Sequence, residues 1–253
     1  MGFHNTYLIK FRHMKDLIKY ILKSLPIAFT KNQLYDRLTV KVIKKHLKKD
    51  SNCIDVGVLD GEILDEFQQF APEGQHYGFE PIPEKYENLQ HKYQSKNNIT
   101  IHNVALSNQD GETEFNYVTS NPSYSGILKR SYDRPDEKDT SIKVNTKKLD
   151  SYLDDLPKID MVKIDVEGAE YLVIEGAEEL LNRDKPLVVF EHGLGGADIY
   201  GISPEKMYAF LKQHHYQISL LNDWLKDRTA LSEKEFVRQF KQELNYYFIA
   251  SSL

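Results

Sequence analysis

Hydrophobic residues recur along this chain in two rhythms. Leu17, Ile18, Ile21 and Leu22 fall at helical spacing, with Lys15, Lys19 and Lys23 elsewhere on the wheel, which predicts an amphipathic helix over 13–23. A second helix is predicted from about Asn32 to Leu47, where Leu34, Leu38, Val42, Ile43 and Leu47 form one stripe. From residue 50 onward, short apolar runs (CIDVG, HYGFE, ITIHNVAL, DMVKID, PLVVFEHG, ISLLND, YYFIAS) alternate with helical patterns. Helices are expected at Glu62 to Phe70, Pro83 to Tyr93, Ala169 to Leu181 and Pro204 to His214, the last with Ser203 as N-cap and Pro204 in its first turn. Apolar runs that do not alternate with polar residues are buried on both faces, so the pattern predicts an α/β protein, a doubly wound, mostly parallel sheet covered by helices. Residues 107–148 break the rhythm. They are polar and turn-rich, with β-like pieces TEFNYV and SIKVNT, and predict a β-rich insertion of the kind that serves as a lid or binding loop.

Composition narrows the setting. With 253 residues, 40% hydrophobic and 28% charged, the chain suits one soluble globular domain with an appendage. One cysteine, Cys53, forms no internal disulfide, and no Cys/His cluster has zinc-finger spacing, so a reducing, cytoplasmic setting is expected. The most apolar early stretch, Leu17 to Phe29, is interrupted by Lys19, Lys23 and Pro26, which excludes a membrane span and fits a signal peptide poorly. Charge is uneven: residues 1–49 hold 12 Lys/Arg against 2 Asp/Glu, net +10, and residues 50–253 hold 21 against 36, net -15. The expected organisation is a helical extension over 1–49 and a catalytic domain over 50–253. An acidic domain without aromatic-basic stacking pattern excludes nucleic acid as partner. Two roles remain for the basic front: a helical cover over the acceptor pocket, or peripheral contact with an anionic membrane or lipid-linked acceptor.

In doubly wound sheets, ligands bind beyond the carboxyl ends of the strands. The first strand runs into Ile54-Asp55-Val56-Gly57-Val58-Leu59-Asp60-Gly61, and the second into Glu80, placed where a carboxylate grips a ribose diol. A nucleoside cofactor is implied. A dinucleotide needs G-x-G-x-x-G and tolerates no acid beside its pyrophosphate; this loop lacks the central glycine and carries Asp55 and Asp60. A cationic sulfonium cofactor, S-adenosylmethionine, suits the acidic strand tips Asp55, Asp60 and Asp165.

The blocks DVGVLDG, FEPIPEKYENL, VALSNQDGETEF, KKLDSYL, MVKIDVEGAEYLVIEGAEELL and PLVVFEH, over residues 51 to about 192, resemble the FkbM family of class I S-adenosylmethionine-dependent methyltransferases. The resemblance implies a Rossmann-like, seven-stranded sheet with its last strand antiparallel, and methylation of a hydroxyl oxygen on a sugar, glycan or related small metabolite. It places Asp55, Gly57 and Gly61 beside the methionine part of the cofactor, Glu80 on the ribose, Asn103, Val104 and Ala105 at the adenine, and Asp165 facing the methyl donor or acceptor. One departure stands out: the family loop reads DVGAN-x-G, and this chain has Val58-Leu59-Asp60 there.

Lys163 and Glu167 are expected on the same side of the fourth strand as Asp165 by period-two alternation, with Ile164 and Val166 opposite. Lys163 and Asp165 suit either catalysis or an internal ion pair. Glu170 is expected only to charge a helix N-terminus. His192, ending the fifth strand, or Asp165 is the candidate base for the acceptor hydroxyl. A divalent cation on Asp165, Glu191 and His192 is a less favoured alternative, so no metal site is assigned. The loop Asn121-Pro122-Ser123-Tyr124-Ser125-Gly126 is expected to reach over the acceptor pocket. Two rival functions share these features: an NAD-dependent oxidoreductase, and a non-catalytic binding module with the same fold.

Overall fold

The computed structural model describes residues 30–132 and 136–253. The predicted helix at 13–23 lies outside the described residues. The chain divides into two units, residues 1–39 and 40–253, and that division falls inside the first described helix, α1 (Lys31–His46). The composition-based boundary lies ten residues later. Val42 and Ile43, in the last turns of α1, are fully buried in the larger unit.

The larger unit is built on a seven-stranded sheet. Its strands are β1 (Cys53–Val56), β2 (His76–Phe79), β3 (Ile99–His102), β7 (Met161–Ile164), β8 (Leu187–Glu191), β9 (Tyr216–Leu220) and β10 (Tyr247–Ser252). They lie in the order β3-β2-β1-β7-β8-β10-β9, with β10 antiparallel to both neighbours and the others parallel. This is the doubly wound arrangement the apolar runs predict, because β1 and β7 are buried at every position. The order reverses between β1 and β7, which opens a crevice beyond their carboxyl ends. Helices α2 (Glu62–Phe70) and α3 (Pro83–Tyr93) form at the predicted positions, as does α6 (Pro204–Gln213), whose N-cap Ser203 accepts the Lys206 amide at 3.2 Å.

Four elements differ from the sequence expectation. The run ITIHNVAL splits: β3 joins the large sheet, and β4 (Ala105–Leu106) joins a second sheet with β5 (Gly111–Val118) and β6 (Asp139–Lys147), in the order β4-β6-β5. That small sheet is the predicted insertion. The helix expected over 169–181 breaks into α4 (Glu170–Glu175) and α5 (Glu178–Asp184). A Cβ on Gly176 would sit 2.0 Å from the Ser107 carbonyl oxygen, so only glycine permits that approach, and the Asp150 carboxylate caps α5 by accepting the Glu179 and Leu180 amides at 2.9 Å each. The run ISLLND is strand only to Leu220, after which α7 (Leu221–Leu225) begins. Finally, α8 (Glu233–Lys241), opened by a Ser232/Glu235 capping box, covers the sheet beside β10 with Phe236 and Phe240 buried.

Candidate active site

The turn after β1 begins at Gly57, whose φ of +81° and closeness to β7 both require glycine: a Cβ there would lie 1.9 Å from the Asp165 carbonyl oxygen. Leu59, standing where the family pattern has asparagine, takes φ +52°, so the loop keeps its turn at the cost of left-handed backbone on a leucine. Glu80, at the tip of β2 and buried, stitches this loop to the next. One carboxylate oxygen accepts the Leu59 amide and the other the Ile82 amide, each at 2.9 Å. Burial pushes its carboxyl up to about 6, against those two bonds.

These residues open onto one cleft at the β1/β7 crossover. Its apolar wall comes from Ile82, Val104, Ala105, Phe115 and Ile127, and its polar groups include Glu80, Ser123, Ser125, Asp165 and Glu167. The insertion thus supplies part of the wall as well as the loop at Pro122, Ser123 and Ser125. Ser125 is held by accepting the Val118 amide at 3.0 Å, beside the bridge between Asn116 and Gly126.

Behind the cleft stands a polar row. Asp55 is 1% exposed, and both of its carboxylate oxygens lack a hydrogen-bond partner. The Lys163 ammonium lies 3.6 Å from Asp55 and 3.3 Å from Asp165. Burial raises the Asp55 carboxyl to about 6 in spite of Lys163. Burial would also raise Asp165, but Lys163, the Tyr247 hydroxyl and a side-chain hydrogen bond with Glu191 hold it below the usual carboxylate range. Glu191 is pushed well above its usual value by burial and by the neighbouring Asp165 and Glu170.

Of the cofactor residues expected from sequence, Gly57, Glu80, Val104, Ala105 and Asp165 line the cleft, while Asp55 sits behind it with Lys163, a catalytic candidate. Asn103 and Gly61 do not line it. The Asn103 amide donates to the Glu80 and Pro81 carbonyls at 2.9 and 3.1 Å, pinning the loop after β2. Gly61 caps α2, where its carbonyl accepts the Tyr93 hydroxyl at 2.8 Å.

The larger corrections concern the catalytic set. His192 is 1% exposed, is not a cleft residue, and lies between Phe236 and Phe240 of α8, with ring centroids at 5.7 and 4.9 Å. Burial drives its imidazole down to about 4, and it is not placed to take a proton from a ligand in the cleft. The cation alternative on Asp165, Glu191 and His192 does not form either: among the described residues no group of three or more His, Cys, Asp or Glu could hold a metal ion. Glu167 leaves the alternation of β7, which ends at Ile164; at φ +58° it turns to pair with Arg130 of the insertion, and Val166 lines the cleft instead of pointing away. Glu170 does more than charge a helix end. It is 1% exposed and accepts the Val166 and Gly168 amides at 3.0 and 3.1 Å, which fixes the turn carrying Asp165. Tyr247, absent from the sequence reading, reaches Asp165 from the antiparallel strand β10.

The family model described as the methyltransferase FkbM domain matches residues 55–218. The chain belongs to the FkbM methyltransferase family. It is 27% identical over 150 residues to the 2-O-methyltransferase NoeI of Sinorhizobium fredii (strain NBRC 101917 / NGR234), a match covering 54% of this chain and 62% of NoeI. Among solved structures it is similar to methyltransferase FkbM from Methylobacillus flagellatus KT, with 14% identity, a TM-score of 0.49, and 81% of this chain and 44% of that one covered. It is also similar to Aeropyrum pernix fibrillarin in complex with natively bound S-adenosyl-L-methionine, with 12% identity, a TM-score of 0.43, and 85% and 74% covered. The chain therefore spans less than two thirds of NoeI and less than half of the M. flagellatus protein. Membership of the FkbM family sets aside the NAD-dependent oxidoreductase. The matched segment contains Asp55, Glu80, Asp165 and His192 but ends before α8 and β10, so Tyr247 lies beyond it. Among the described residues no helix is long and apolar enough to cross a membrane.

Proposed function

We propose that this FkbM family member is an S-adenosylmethionine-dependent O-methyltransferase whose acceptor is a hydroxyl of a sugar, glycan or related small metabolite. The observation that carries the reading is a single cleft that combines an apolar wall, a buried carboxylate at the tip of β2 and an ionised carboxylate at the tip of β7. The donor set fits the cofactor. Each Glu80 oxygen accepts one amide and keeps a second lone pair for a ribose hydroxyl; Ile82, Val104, Ala105, Phe115 and Ile127 suit a flat base; and Asp55, buried without a hydrogen-bond partner, favours a cationic neighbour. When bound, S-adenosylmethionine supplies an electrophilic methyl group on a sulfonium.

The chain's own residues then have separable tasks. Most of the rate comes from holding the acceptor oxygen in line, which falls to the insertion loop with Ser123 and Ser125 and to the turn around Asp165. As the acceptor oxygen gains its new bond its proton becomes strongly acidic, so an ionised carboxylate in contact is a sufficient acceptor. Of the cleft carboxylates named here, Glu80 is given to the ribose and Glu167 is paired with Arg130, which leaves Asp165, held in place by Lys163 and Tyr247, to take the proton. NoeI, described as a 2-O-methyltransferase, supports oxygen as the acceptor atom.

A screen of labelled methyl transfer from S-adenosylmethionine into pooled glycans, glycolipids and small hydroxylated metabolites tests this. Label recovered in a base-stable ether supports the reading. Label confined to base-labile esters or to amines contradicts it, and cofactor binding with no transfer to any pool favours the binding-module alternative.

A further inference from the structure

The polar row behind the cleft is assembled by four adjacent strands. Asp55 of β1 is the direct cross-strand partner of Lys163 of β7, and Glu191 of β8 is the direct partner of Tyr247 of β10. Cross-strand partners project to the same face. Both pairs converge on Asp165, which follows β7 by one residue and whose amide donates to the Val56 carbonyl at 3.0 Å.

We propose that Tyr247 is a positioning residue of the methyl-transfer site: from β10 its hydroxyl, together with the Lys163 ammonium, holds the Asp165 carboxylate toward the cleft, and so sets the acid limit of turnover. The inference rests on Asp165 being the proton acceptor of the proposed reaction. Two donors meet the Asp165 carboxylate, the Lys163 ammonium from its own strand and the Tyr247 hydroxyl from β10. Opposing them are the acids around it: Asp55 on β1 beyond Lys163, Glu170 on α4, and Glu167, which Arg130 neutralises. Arg130 also acts on Glu191. Of Lys163 and Tyr247, it is Tyr247 that can be removed without altering formal charge, since phenylalanine keeps the ring and loses only the hydroxyl. Removing Lys163 would leave the buried Asp55 without its cation, so K163M is the variant prone to unfold and Y247F is the informative one. The hydroxyl arrives from outside the family match, which ends at residue 218, on a strand that runs against the others.

The test has two readings. Carbon-detected NMR of Asp-labelled protein without cofactor, with the Asp165 resonance assigned by D165N, follows the titration of that carboxyl directly; in Y247F its midpoint moves to higher pH. Steady-state kinetics then give kcat/KM across pH, where the acid limb of Y247F lies about one pH unit above that of wild type, so that its relative loss grows as pH falls below 5 toward about tenfold. An unchanged Asp165 midpoint in folded Y247F overturns the proposal whatever the kinetics show. A shifted midpoint with the same fractional loss of kcat/KM at every pH overturns its catalytic part. If D165N itself keeps wild-type turnover, the proton-acceptor role has failed, and the NMR result still stands or falls separately.

Discussion

Asp55 offers a prediction in which stability and function pull in opposite directions. Its carboxyl is buried with neither oxygen hydrogen-bonded, and the Lys163 ammonium 3.6 Å away offsets only part of the cost of burying the charge. The result is a carboxyl raised from 3.8 to about 6. At 1.36 kcal/mol per unit, that rise means the folded state is penalised by about 3 kcal/mol once the group ionises. An acid whose folded value is raised stabilises the fold fully below its unfolded value, near 3.8 here, and that contribution is lost as pH rises through about 6. Replacing Asp55 by asparagine keeps the shape and removes the charge. D55N is therefore expected to match wild type in urea denaturation near pH 4 and to exceed it by about 3 kcal/mol at pH 8. The same variant should bind S-adenosylmethionine more weakly, because the charge retained at a cost in stability is the one that attracts a sulfonium cation. A D55N that is less stable than wild type at pH 8, or that shows the same difference at both pH values, refutes the reasoning.

Two further substitutions probe the framework around the cleft. His192→Phe replaces an imidazole already lodged between two phenyl rings; its folded value near 4 lies below the usual 6.5, so the wild type loses up to about 3 kcal/mol as pH falls from 6.5 toward 4, and H192F should lose none of it. Turnover of H192F should stay within about tenfold of wild type, since removing a general base costs about a hundredfold or more, and a loss of that larger size would return His192 to the chemistry. Gly57→Ala drives a Cβ to 1.9 Å from the Asp165 carbonyl at a left-handed φ, and a cost of about 2 to 4 kcal/mol in thermal or urea unfolding is expected; under 1 kcal/mol would mean β1 and β7 part more easily than their spacing implies.

Much of the architecture is legible in the order of residues because local signals and burial agree. The helices at Glu62–Phe70, Pro83–Tyr93 and Pro204–Gln213 follow directly from periodicity and caps, and the fully buried strands β1 and β7 from unbroken apolar runs. The capping box at Ser232 and Glu235 is equally present in the sequence, yet periodicity alone gives little sign of α8, because its apolar positions are few and its charges many. The break at Gly176 is different in kind. It depends on the Ser107 carbonyl and the Asp150 carboxylate, which reach it from distant parts of the chain, and no window of local sequence contains them. The same division runs through the site. Glu80 and Gly57 occupy places that the strand-turn-helix rule fixes in advance. His192 stands at a strand end, as the active-site pattern suggests, but α8, weakly signalled in the sequence, supplies the two rings packed against it. Glu167 was placed by extending the alternation of β7 past the point where the strand stops, and Tyr247 was invisible because nothing in YYFIAS indicates which strand it will lie beside.

The central claim, that this cleft holds a sulfonium nucleoside through Glu80, is tested most directly by titration calorimetry of the full chain with S-adenosylhomocysteine, wild type beside Glu80→Ala. Saturable one-to-one binding by the wild type, weakened at least about tenfold in a folded E80A, is the result expected from the loss of charge-assisted bonds to the ribose. No binding by the wild type at high micromolar concentration, or equal affinity in the two proteins, would contradict it.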